Sequence, residues 1–153
     1  MFKVEDILNP YNLQRCSDEE LSKAIDDIVA KYRYSDMPYD VAYNIEIESD
    51  LLTIYGEFIA RLQKEASLLK FDADNQEAKA VYRLRKDWLQ LSNDKAPAMS
   101  YFEAQAREQV ADIRKKQIEA ESMLTRFKKS YESLETKQNA LKKKLDAMKY
   151  EVV

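Results

Sequence analysis

From Met99 to the last residue the chain contains neither glycine nor proline, and a stripe of apolar side chains runs through almost all of it. Alternating steps of four and three from Ala106 reach Val110, Ile113, Gln117, Ala120, Leu124, Phe127, Tyr131, Leu134, Gln138, Leu141, Leu145 and Met148. Eleven of these thirteen positions are apolar or aromatic. A 3.5-residue period held for about six heptads marks a helix packed lengthwise on another helix. At ~1.5 Å per residue that helix would be about 75 Å long, so it needs a partner along its length. The preceding helix, folded back as a hairpin, can supply one, and so can other subunits. Gln117 and Gln138 in the seam read as register or oligomer-state devices, because a buried amide is tolerated only where a partner answers it.

The rest of the chain favours the same class. A single glycine and three prolines leave too few turn-making residues for a many-stranded fold, and 35% of the residues are charged. Ser17-Asp18-Glu19-Glu20 has the form of a capping box, followed by Leu21, Ala24, Ile25, Ile28 and Val29 at helical spacing. A short helix from about 18 to 33 is expected, then a turn, with Pro38 in the first turn of the next helix. From Tyr39 to Leu91 only Gly56 interrupts a helical pattern, which weakens at Phe71-Asp72-Ala73-Asp74-Asn75 and resumes in a new phase at Val81, Leu84, Trp88 and Leu91. A kink or short break near 72–76 is therefore expected. Ser92 to Ala98 reads as a loop, and Ser100-Tyr101-Phe102-Glu103 as a second capping box. The expectation is an all-α chain: an acidic N-terminal helical segment over 1–37, then a long antiparallel helical hairpin or coiled coil over 38–153 with its loop near 92–99, assembling as a homo-oligomer.

Composition excludes several chemistries. There is no histidine, Cys16 has no second cysteine, and with one glycine no phosphate-cradling loop can form. A nucleophilic Cys16 would lack an imidazole to activate it, and Glu46, Glu48 and Asp50 lack the histidines of a di-metal carboxylate site. No catalytic residue, metal site or cofactor is expected. The N-terminal stretch lacks a secretory pattern and no window has the apolar length of a membrane span. Together with the lone cysteine this points to a soluble protein of the cytoplasm, that of the host cell if a phage encodes it.

Charge is unevenly placed. Residues 1–60 hold five basic and thirteen acidic side chains, and residues 61–153 hold twenty basic and fifteen acidic. If Val110 and Leu124 occupy heptad position a, then Arg114, Lys128 and Lys142 fall at e and Lys115, Lys129 and Lys143 at f. The three basic pairs stand fourteen residues apart, roughly 21 Å along one face. Such a row can follow a phosphate backbone, or it can pair with glutamates across a coiled coil. A second basic group, Arg83, Arg85 and Lys86, lies beside Tyr82 and Trp88. Cations that hold phosphate next to a ring that stacks on an unpaired base form a single-strand-binding combination.

The local pattern Arg83-Leu84-Arg85-Lys86-Asp87-Trp88 resembles the basic-x-basic-apolar-Asp-aromatic segment of the UvsY family of phage recombination mediators. The layout around it is similar too: a helix before, a polar loop after, and a long basic C-terminal helix. The resemblance implies a non-enzymatic oligomer in DNA recombination and repair. Such a protein would bind single-stranded DNA and help load a RecA-like recombinase while the single-strand-binding protein is displaced. Arg83 and Arg85 match the family's basic pair. The competing expectation is a phage or bacterial coiled-coil interaction protein, an assembly factor, scaffold or inhibitor that engages another protein through its acidic half and has no nucleic-acid role.

Overall fold

A computed structural model describes residues 3–151. Among them there are six helices and no strand: α1 (Val4–Ile7), α2 (Pro10–Leu13), α3 (Asp18–Val29), α4 (Pro38–Leu91), α5 (Met99–Gln109) and α6 (Ala111–Glu151). The chain is all-α. No helix among the described residues is long and apolar enough to cross a membrane. The residues cluster into two compact units, one of Met1–Arg61 with Thr125–Val153, the other of Leu62–Leu124.

In the first unit, short polar signals start α2 and α3, and bulky apolar side chains hold the helices together. Asn9 caps α2 by accepting from the Tyr11 amide, with Pro10 at the first helical position. Ser17 and Glu20 form the capping box of α3: Ser17 Oγ accepts from the Glu20 amide at 3.2 Å, and Glu20 Oε2 accepts from the Ser17 amide at 2.8 Å. The buried stripe of α3, Leu21, Ala24 and Ile28, meets Ile47, Leu51, Ile54 and Phe58 of α4 in one cluster, which Ile7, Leu13 and Cys16 complete.

The α3 helix ends at Val29, earlier than expected, and Pro38 opens α4 as expected. The irregular segment between them is held by its polar groups. Buried Asn44 accepts from the Arg33 amide at 2.9 Å and donates to the Arg33 carbonyl at 2.7 Å. Arg33 also pairs with Asp40 at 2.8 Å and lies 4.0 Å from the Tyr43 ring centre. Within this unit α6 runs antiparallel to α4. Phe127 packs on Tyr55 and Phe58, Gln138 donates to the Ile45 carbonyl and to Ser49 Oγ, and Lys144 pairs with Asp36. Lys137 reaches the fully buried Glu48 carboxylate at 2.9 Å.

In the second unit α4 pairs with α5 and the start of α6, again antiparallel. Arg114 meets Asp74 and Glu77, Arg83 meets Gln109, and Trp88 faces Phe102. The expected kink near 72–76 is absent, since α4 is unbroken from Pro38 to Leu91. The buried face is carried there by Ala66, Ala73 and Ala80, seven residues apart, so a pattern of bulky side chains lapses while the helix continues. Alanine is also the best helix former. The second capping box does not form: α5 begins at Met99 with Ala98 as N-cap, which places Ser100 inside the first turn. The final helix is interrupted for one residue at buried Val110 (φ −103°, ψ 9°), although Val110 N–H still donates to Ala106 and the Arg114 amide to Val110.

Candidate nucleic-acid interface

The thirteen seam positions between Ala106 and Met148 are all buried or half-buried, and nearly every other residue of that stretch is exposed. That periodicity fixes where the charged side chains must go. Lys115, Lys128, Lys129, Lys142 and Lys143 are all exposed, while Arg114 is half-buried.

Arg114 is committed within the second unit. It pairs with Asp74 at 2.5 Å and Glu77 at 2.8 Å and donates to Gln117 Oε1 at 3.0 Å. Hydrogen bonding to Glu77 and Asp74 holds its guanidinium above the ordinary value. Lys115 beside it makes no ion pair among the described residues. In the first unit, Lys142 donates to Gln138 Oε1 at 3.4 Å, a neutral partner. Among the described residues Lys128, Lys129 and Lys143 pair with no carboxylate. This unit therefore presents four exposed, uncompensated lysines on α6 in two pairs fourteen residues apart.

The Arg83 to Trp88 segment, in the second unit, is divided by its helix between two faces. Val81, Leu84 and Trp88 are half-buried on the side toward α5. The Trp88 ring centre lies 6.5 Å from that of Phe102, edge to face, and its buried indole N–H has no hydrogen-bond partner among the described residues. Trp88 is thus packed within the protein. Arg83 is exposed and donates to Gln109 Oε1 at 2.9 Å, which anchors it without neutralising its charge. Tyr82, Arg85, Lys86, Leu89 and Gln90 surround a shallow open hollow on the other face. Tyr82 is 70% exposed, and among the described residues neither Arg85 nor Lys86 makes an ion pair.

The ring available beside the cations is therefore Tyr82 rather than Trp88. The signal for it was present in the spacing: Tyr82 falls off the face shared by Val81, Leu84 and Trp88. Comparison of the chain with protein-family models, with curated proteins and with solved structures finds no match.

Proposed function

We propose that this chain binds single-stranded DNA and works without catalysis as an oligomeric recombination mediator, helping to load a RecA-like recombinase as the single-strand-binding protein is displaced. The observation that carries the reading is the exposed Tyr82 ring with Arg85 and Lys86 beside it, both lacking an intramolecular partner among the described residues. Uncompensated cations gain by displacing counterions from phosphate, and an aromatic face stacks on any unpaired base at about 1–3 kcal/mol each. Arg83 stands at the edge of this surface. Trp88 supports it from within by packing on Phe102. Lys128, Lys129, Lys142 and Lys143 add a second basic surface of the coiled-coil type on the first unit, and Lys115 adds charge to the second.

Fluorescence anisotropy with an oligothymidylate of about 30 nucleotides tests the reading. Affinity should fall by at least ~10-fold between low and physiological salt. Tyr82→Ala combined with Arg85→Ala and Lys86→Ala should weaken binding ~10-fold or more while helicity stays constant, because all three side chains are exposed. Salt-independent binding, or a triple variant that binds like the parent, would leave the interaction-protein reading in its place.

A further inference from the structure

The outward face of α4 in the second unit carries a strip that none of the other described residues covers. Leu68, Phe71, Tyr82 and Leu89 are 58%, 71%, 70% and 62% exposed. They occupy steps of three and four along the helix, with exposed Asn75, Ala78 and Arg85 at the intervening positions. This is a second 3.5-residue period, on the side of α4 away from Ala66, Ala73 and Ala80. A strip with that period fits another helix, since a groove or a flat sheet would not impose it.

The charges beside the strip identify which helix. Glu65, Asp72, Lys79 and Lys86 form a row at intervals of seven along one edge, all exposed. Among the described residues none of the four makes an ion pair, and Asp72 accepts only a hydrogen bond from Gln76. The row is acidic in its first half and basic in its second. Laid antiparallel on a copy of itself it sets Glu65 against Lys86 and Asp72 against Lys79, each twice by symmetry.

We infer that this face of α4 docks a second copy of the chain, antiparallel, about a two-fold axis between Asn75 and Ala78. In that register Phe71 of one copy meets Tyr82 of the other. The small Ala78 side chain lets the helices approach at the centre. The four large apolar side chains expose roughly 500 Å² per copy at ordinary side-chain areas. With the flanking row the strip approaches the ~800 Å² per partner of a stable interface. An isologous contact closes on itself, so it yields a dimer and not a filament.

The docking face includes Tyr82, Arg85, Lys86 and Leu89. On the reading that these residues bind single-stranded DNA, a strand and a second copy exclude one another at this face. The dimer is then the DNA-free state, and the oligomer that works on DNA is joined through other surfaces once the strand has displaced the second copy.

Charge exchange tests the dimer. Sedimentation equilibrium should give a dimer for the parent chain. Both Lys79→Glu with Lys86→Glu and Glu65→Lys with Asp72→Lys should be monomeric at the same concentration with unchanged helicity, and an equimolar mixture of the two should recover the dimer. A monomeric parent, variants of parental mass, or a mixture that stays monomeric each overturns the inference. Phe71→Ser, which alters no charge and no DNA contact, separates the two readings. It should be monomeric and bind oligothymidylate several-fold more tightly than the parent. A monomeric Phe71→Ser chain that fails to bind the strand removes the DNA reading and leaves the dimer standing, whereas a variant of parental mass that still binds removes the dimer alone.

Discussion

The two units solve the same problem, burying one side of α4 against α6, with opposite materials. Among the described residues of the first unit, ten of the eleven buried apolar residues are larger than alanine, with Leu21, Ile28 and Ile54 almost wholly enclosed. In the second unit five of seven are alanine, and only Phe102 and Val110 bring bulk. Full burial of a leucine or isoleucine contributes about 1.5–3 kcal/mol and that of an alanine much less. The first unit therefore rests on apolar mass. The second rests on close approach of small faces, braced by Arg114 on Asp74 and Glu77 and by Arg107 on Glu77 at 3.4 Å. Among the described residues the second unit also leaves more large apolar side chains outside, nine against six in the first. A helix pair that buries alanine on one face and exposes Leu68, Phe71, Tyr82 and Leu89 on the other leaves a periodic apolar strip still to satisfy.

The sharpest way to break this contrast is to remove mass from the first unit. Ile54→Ala deletes a side chain with no exposure in the middle of the cluster and should cost about 3–4 kcal/mol. Circular dichroism during urea unfolding follows all the helices, while the single tryptophan, Trp88, reports from the second unit alone. The dichroism midpoint should fall well before the Trp88 fluorescence midpoint moves. Equal shifts of the two would mean that the units unfold as one, and the distinction between their cores would lose its energetic meaning.

The converse change adds mass where there is none. Ala73 has no exposure on the tight face of α4, so Ala73→Leu forces the pair apart and should cost about 2 kcal/mol. This time the Trp88 transition should lead. A neutral or stabilising Ala73→Leu would show that the alanine face has room, and that close approach is not what holds the second unit.

The same difference in materials explains what could be read from the amino-acid order alone. The stripe from Ala106 to Met148 was legible because its side chains are large and its period strict, and burial follows it position by position. The Ser17 box and Pro38 were legible because caps act through neighbouring residues. The continuity of α4 through 72–76 was not, since a buried face made of Ala66, Ala73 and Ala80 looks in sequence like the loss of one. The pause at Val110 leaves no mark either, because neither glycine nor proline accompanies it. In the candidate site the basic cluster was visible, but its division between two faces was not. Helical phase turns Trp88 inward and Tyr82 outward, and Arg114, counted with the lysine row, is claimed by carboxylates thirty-seven and forty residues earlier in the chain.

The smallest expected effect concerns the polar fastenings of the first unit, and it sharpens the contrast by showing that apolar mass is not their only support. Hydrogen bonds from Arg33 and then Ser35 hold the Asp40 carboxyl below its ordinary value of 3.8, and the Ser17 amide and hydroxyl hold Glu20 below 4.5. A carboxyl whose folded-state value is depressed contributes stability that is fully present above its unfolded value and is lost as pH falls through the folded one. Acidification from about pH 5 to about pH 3 should therefore weaken the fastenings at Arg33 and at the start of α3. Asp50 works in the opposite sense. Burial, helped by Glu46, raises its value, so its ionised form burdens the fold above that value and the burden lifts on acidification. The measured pH dependence is the sum of these opposed effects, and Asp40→Asn isolates one of them. The variant should be slightly less stable than the parent at neutral pH, and the gap should narrow as the pH falls below 3.8. If the gap stays constant on acidification, the Arg33 to Asp40 contact adds nothing that depends on ionisation, and the segment before α4 is held by its other contacts, Asn44, the tyrosine rings and the Lys144 to Asp36 pair.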